Sequence, residues 1–260
     1  MSNETVRCNV DGSGIAHLTI DRPKALNALN GDVLDGLDTQ LRDLGKPGEV
    51  RGVFLRGAGD KAFVAGADIG QMRTLDPAGA EAFARHGLAV FERLERLPVP
   101  VVAVVDGYCL GGGCELALAC DWIVATDQAV FGQPEVSLGI IPGFGGTQRL
   151  PRRIGPAAAL DLITTGRQVV AAEARQIGLA HQVVATESLE PALSKIAKAW
   201  LRNAPEAIRA AKEAIYSGAD LPQDRALRLE ASLFAGGFAR SEQTEGMAAF
   251  LEKRAPGYAA

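Results

Sequence analysis

The stretch VPVVAVVDGYCLGGGCELALACD, residues 99–121, changes character three times within a few turns of chain. Residues 101–105 are apolar on both alternating faces, the pattern of a parallel strand covered by protein on each side. Three consecutive glycines follow, Gly111, Gly112 and Gly113, and then an apolar run interrupted by one acid, Glu115. The spacing predicts a helix that starts near Gly112 with Glu115 in its first turn. Glycines at a strand-to-helix junction let a ligand approach the main chain, and the first helical N–H groups have no partner within the helix. Such a junction receives negative charge. The standard phosphate motifs are nevertheless excluded, because GxGxxG would need glycine at position 116, which is Leu116, and a phosphate-binding loop would need lysine where Cys114 stands.

Outward from this segment the same order recurs. The chain opens as a hairpin, with TVRCNV and IAHLTI flanking the turn DGSG. Leu34, Leu37, Leu41 and Leu44 keep a helical period, and VRGVFLRG at 50–57 reads as a strand. A glycine-rich connection, GAGDKAFVAGADIGQM, leads into an amphipathic segment at about 78–97 carrying Phe83, Leu88, Phe91 and Leu94. Residues 121–146 supply two further short strands and a loop dense in proline and glycine. From about residue 187 the texture is helical only, with Pro205 and Pro222 at expected first-turn positions. An α/β core over residues 1–186 followed by a helical region over 187–260 is the expected organisation.

Composition narrows the function classes. With 27 Lys and Arg against 31 Asp and Glu, a net charge of −4 and no basic block, nucleic acid is not an expected partner. No apolar run approaches the ~20 residues needed to span a bilayer, and residues 1–10 show no basic flank ahead of an apolar core. A cytoplasmic protein without membrane attachment is expected. Cys8, Cys109, Cys114 and Cys120 lack zinc-type spacing, and His17, His86 and His181 are scattered, so reduced buried thiols and no metal site are expected.

Two acids and two main-chain donors carry the chemistry. A carboxylate one turn from exposed N–H groups would repel a bound phosphate but suits an oxyanion that develops only during reaction. The segment AGAD at 65–68 offers a second donor, the N–H of Ala67, at another strand-to-helix junction. A second carboxylate, Glu135 in FGQPEVSLGI, follows Pro134 and leads into Val136, Leu138, Ile140 and Ile141; that apolar neighbourhood would desolvate it and raise its pKa.

Together, DRPKALNALN, KAFVAGADIGQM, GYCLGGGCELALACD, FGQPEVSLGIIPGFGGTQRLPR and EGMAAFLEKR, in this order over essentially the whole chain, resemble the crotonase superfamily, and most closely its enoyl-CoA hydratases. The resemblance implies a spiral of repeated ββα units with a C-terminal helical trimerisation region, assembled as a homotrimer or a dimer of trimers. It implies syn addition of water to a trans-2-enoyl-CoA, giving a 3-hydroxyacyl-CoA. The N–H groups of Ala67 and Gly112 would form the oxyanion hole, Glu115 would activate the water, and Glu135 would deliver a proton to C2. Two carboxylates gripping one water are expected to titrate together, with one raised. No cofactor is implied, since coenzyme A arrives on the acyl-CoA thioester substrate. For that moiety the resemblance points to Lys24, Ala25, Leu26, Lys61, Ala65, Asp68 and Ile69, and to Phe250 and Lys253 reaching across a subunit boundary. The chain departs from the family pattern at Gly70, where lysine is common, and at Phe144 in PGFGG, where alanine is common. The rival readings are a Δ3,Δ2-enoyl-CoA isomerase or a specialised 3-hydroxyacyl-CoA dehydratase of the same superfamily, and, from another class, a noncatalytic acyl-CoA-binding scaffold.

Overall fold

A computed structural model of the chain describes residues 5–46 and 50–258; the outer limits of the two expected regions, residues 1 and 260, lie outside them. The opening hairpin forms as expected, with β1 (Val6–Val10) antiparallel to β2 (Ile15–Ile20). Asp11 closes its turn by accepting the N–H groups of Ser13 and Ile15 at 2.8 and 3.1 Å. Asn30 caps α1 (Gly31–Leu44), its side-chain oxygen taking the N–H of Val33 at 3.0 Å, and the leucine period predicted for this helix is buried.

Three successive ββα passages then build the spiral. The first comprises β3 (Gly52–Gly57), β4 (Ala62–Val64), the single turn α2 (Ile69–Met72) and α3 (Pro77–Glu95), which Asp76 caps at the N–H of Gly79. The second is β5 (Val101–Val105), β6 (Tyr108–Leu110) and α4 (Gly112–Leu118). The third is β7 (Trp122–Thr126), β8 (Val130–Gly132), a 3-10 turn over Pro134–Leu138 and α5 (Gly146–Ile154). After α6 (Pro156–Thr165) come β9 (Gln168–Val170), α7 (Ala171–Gln176) and β10 (Gln182–Val184). In each passage the first strand joins a six-stranded sheet ordered β1-β2-β3-β5-β7-β10, and the second joins a four-stranded sheet ordered β4-β6-β8-β9. Pairings along β2, β3, β5, β7 and β10 are parallel, which requires cover on both faces. All of β5 is accordingly buried.

The helical rear follows as α8 (Leu189–Arg202), α9 (Pro205–Gly218), α10 (Gln223–Gly237) and α11 (Ser241–Leu251). Helix α8 belongs to the core: Leu189, Leu193 and Trp200 pack with Ile15, Phe54, Val102, Val104 and Val124 on the outer face of the larger sheet. A Cβ on Gly52 would overlap the Trp200 indole, so glycine is required there for close approach.

Three local expectations change. The glycines at 111–113 are reached from β6 in the smaller sheet rather than directly from β5, because a reversal at Gly107 (φ +69°) intervenes. Leu88 faces outward on α3, while Gly87, Val90, Phe91 and Leu94 form its buried stripe. Pro222 is the N-cap of α10, whereas Pro205 occupies the first turn of α9 as expected. Among the described residues no helix is long and apolar enough to cross a membrane.

Candidate active site

The three consecutive glycines meet three different demands. Gly111 has φ +51° and ψ −124°, outside the regions open to L side chains, and a Cβ there would come within 2.9 Å of Glu135 Oε1. Gly112 opens α4, and a Cβ on it would lie 3.4 Å from the Ala67 nitrogen. Gly113 lets α4 press against β4, since a side chain there would overlap the Val64 carbonyl. The two junctions expected to supply N–H donors are therefore brought together. Among the described residues, no hydrogen bond uses the N–H of Ala67 or of Gly112. Ala67 is held in place from both sides, as Leu29 donates to the Gly66 carbonyl at 2.9 Å and accepts from Asp68 at 2.8 Å.

Of the two acids, Glu115 stands on α4 itself and Glu135 lies against Gly111. Glu115 is 1% exposed, and its Oε1 accepts the N–H groups of Phe144 and Gly146 at 2.8 and 2.7 Å. Burial pushes its pKa up to about 7; the Gly146 and Phe144 donors and the Arg149 cation act against that rise, and the Glu135 charge adds to it. Glu135, 9% exposed, is also raised to about 7, again chiefly by burial. Desolvation is the cause expected, but its source differs. Leu138, Ile140 and Ile141 are exposed, and the groups that lie against the carboxyl are Gly111 and the buried Gln133. With its amide nitrogen turned toward the acid, Gln133 donates to both Glu135 oxygens at 3.1 and 3.0 Å.

The remaining expected residues divide into those beside this centre and those apart from it. Lys24 and Ala25 lie in a 3-10 turn over Pro23–Ala25 and are exposed, as is Leu26, which adopts φ 51° and whose carbonyl accepts the Ala65 N–H at 3.0 Å. Lys61 and Ile69 are exposed, while Ala65 is partly covered. The carboxylate of Asp68 caps α2 and pairs with Arg22 at 3.2 Å. Phe250 and Lys253 stand elsewhere: Phe250 is 83% exposed, and no hydrogen bond, ion pair or ring contact among the described residues ties either to the carboxylates.

Sequence reasoning missed several supporting residues. Asn27, buried with φ +60°, accepts from the Arg22 N–H at 2.9 Å and donates to the carbonyls of Ala58 and Ala62 at 2.9 and 2.8 Å. It thereby ties the 3-10 turn to the strand leading to Ala67. Asparagine tolerates the left-handed region better than most residues, so Asn27, between Leu26 and Ala28, could have been read as a left-handed position. The donors to Glu115, at Phe144 and Gly146, carried no local signal.

Comparison with known proteins shows the family. A family model described as Enoyl-CoA hydratase/isomerase matches residues 11–260. A Short-chain-enoyl-CoA hydratase of Clostridium acetobutylicum is 46% identical over 240 residues, covering 92% of each chain. A Crotonyl-CoA hydratase of Syntrophomonas wolfei is 47% identical, also over 92% of each. The crystal structure of an enoyl-CoA hydratase from Bacillus anthracis superposes with a TM-score of 0.94 at 37% identity, over 98% of both chains. The ββα spiral, the glycine junctions and the whole-length similarity lead to one assignment: this chain belongs to the enoyl-CoA hydratase/isomerase family, within the crotonase superfamily.

Proposed function

We infer that the protein is an enoyl-CoA hydratase, a hydro-lyase that adds water reversibly to a trans-2-enoyl-CoA. The observation that carries this reading is the pairing of two buried carboxyls, both raised to about 7, beside two N–H groups from separate helix junctions. A thioester oxygen placed between the Ala67 and Gly112 N–H groups would be polarised there, and the same donors would hold the enolate charge that builds as oxygen attacks C3. Loss of one such donor costs about 3–4 kcal/mol in related chemistry.

The surroundings of the two acids support different roles for them. Glu115 receives two N–H donors and faces Arg149, so it is the member of the pair better suited to carry charge. It takes a proton from the water. Glu135 keeps the shared proton, gives it to C2, and is left as a carboxylate facing the Gln133 amide. The exchange needs no resident cofactor, because the base, the acid and the anion receptor account for every proton and charge moved.

The short-chain and crotonyl-CoA names of the two relatives, and the Phe144 ring packed against Phe83 and Phe91 beside Gly112, support a short acyl group. The exposed turn at Lys24, Ala25 and Leu26, with Lys61, Ala65, Asp68 and Ile69, is the proposed path of the CoA moiety. Phe250 and Lys253 complete it from another subunit of a homotrimer or a dimer of trimers. The apolar side chains exposed on the helical rear, Ile215, Phe234 and Leu251 among them, support that assembly and the separation of a core at 1–186 from an oligomerisation region at 187–260.

The test follows crotonyl-CoA through loss of its conjugated-thioester absorbance. Glu115→Gln and Glu135→Gln are each expected to cut kcat by orders of magnitude while acyl-CoA binding survives. Near-normal turnover in either variant contradicts its role, and a wild-type protein that migrates double bonds without adding water contradicts the hydratase reading.

A further inference from the structure

The two N–H groups that hold Glu115 flank a peptide that points the other way. The Phe144 and Gly146 nitrogens converge on Glu115 Oε1, whereas the carbonyl between them, that of Phe144, accepts Arg149 Nη1 at 3.1 Å. The guanidinium is itself anchored, with Nε 3.4 Å from Glu95 Oε1 and Nη2 3.1 Å from Glu95 Oε2. This is a forked ion pair with side chains only 16% and 28% exposed. Gly145, at the apex, has φ +106°, and a Cβ on it would overlap Arg149 Nη1, so the turn is shaped around the guanidinium. Glu95 ends α3, the helix whose Phe83, Gly87 and Phe91 enclose the Phe144 ring. Phe144 is thus gripped twice, by its ring and by its carbonyl.

We propose that Arg149 is a positioning residue for hydration: braced by Glu95, it holds the Phe144 carbonyl and so aims the flanking N–H groups at Glu115. The proposal rests on Glu115 acting as the base. The glycine-rich loop at 139–145 has many ways to turn its peptides, and only one arrangement presents both donors to a single carboxylate oxygen. The ion pair selects that arrangement. Its charge also bears on Glu115, which faces Glu135 from the Pro134–Leu138 turn and Arg149 from α5, with Glu95 of α3 behind the guanidinium.

The test compares Arg149→Met, Arg149→Lys, Glu95→Gln and, as a control, Arg152→Met, with crotonyl-CoA as substrate. Arg149→Met is expected to lower kcat by roughly 10²-fold, since small misplacements of catalytic groups cost that much, with KM changed far less. It should also move the acid limb of the kcat–pH profile upward, because the cation favouring ionised Glu115 is gone. Lysine keeps the charge but cannot span the Phe144 carbonyl and both Glu95 oxygens, so Arg149→Lys should leave the acid limb in place and restore kcat only partly. Glu95→Gln should lower kcat, and adding it to Arg149→Met should cost nothing further. Arg152 bonds the Gln148 carbonyl on the exposed side of the same helix, and its replacement should leave kcat unchanged. A folded Arg149→Met with kcat within a few-fold of wild type, or with kcat reduced and the acid limb unmoved, overturns the proposal. If that variant does not fold, wild-type kcat in both Arg149→Lys and Glu95→Gln overturns it. Near-normal activity of Glu115→Gln instead defeats the assignment of the base itself, so the two failures are distinguishable.

Discussion

Replacing Glu115 by glutamine should make the protein inactive and, above neutral pH, more stable. Glutamine keeps the oxygen that Phe144 and Gly146 need while removing a charge from a side chain that is 1% exposed. In the folded chain this carboxyl titrates at about 7, against an ordinary value of 4.5. Between those values the native state binds more protons than the unfolded chain, so stability falls as pH rises through this window and levels off above it. For one group the full effect is about 3 kcal/mol, of which about 1 kcal/mol has developed by pH 5. Spread over the unfolding entropy of a chain this long, 3 kcal/mol corresponds to about 5 °C in melting temperature. Thermal melts of wild type and Glu115→Gln, at one protein concentration and at pH 5 and pH 8.5, measure the difference. The variant should melt slightly higher at pH 5 and about 5 °C higher at pH 8.5. A gap that stays constant or narrows as pH rises would refute the claim that burial raises the pKa of Glu115.

Gly112→Ala should fold, because its Cβ would meet Leu29 Cδ1 and Phe144 Cδ2 at 3.3 Å, but the methyl group crowds the Ala67 nitrogen. Its kcat should fall about 10²-fold, and a loss of only a few-fold would argue against an oxyanion receptor at this junction. Asn27→Ala strands the Ala58 and Ala62 carbonyls and puts alanine at φ +60°, so denaturant titration should show a loss of about 3 kcal/mol or more; a neutral result would mean water replaces the amide. Phe144→Ala empties the space between Phe83, Phe91 and Gly87, with an expected loss of about 3–5 kcal/mol and a relative gain in kcat/KM for longer enoyl chains. Unchanged chain-length preference would remove Phe144 from the acyl site.

Contiguous residues were enough to read the hairpin, the leucine period of α1, the doubly covered strand at 101–105 and the helix start at Gly112, because each follows from local periodicity or from main-chain freedom. The motifs, taken in order, identified the superfamily. Other features lay beyond that kind of reading. Strands β4 and β6 are three residues each, too short to show alternation. Helix α5 contains Pro151 and begins in a glycine-rich loop, so its composition argued against it. The enclosure of Glu135 was assigned to its apolar neighbours in the chain, whereas Gly111 and Gln133 lie against its carboxyl, and of those neighbours Leu138, Ile140 and Ile141 are exposed. Glu115 takes its hydrogen bonds from residues 29 and 31 positions further along, oriented by a guanidinium tied to yet another helix. Local order comes from what neighbouring residues permit one another, and sequence records that directly. The electrostatics of the two acids come from which distant segments exclude water around them, and that is set only when the ββα turns of the spiral close on one another.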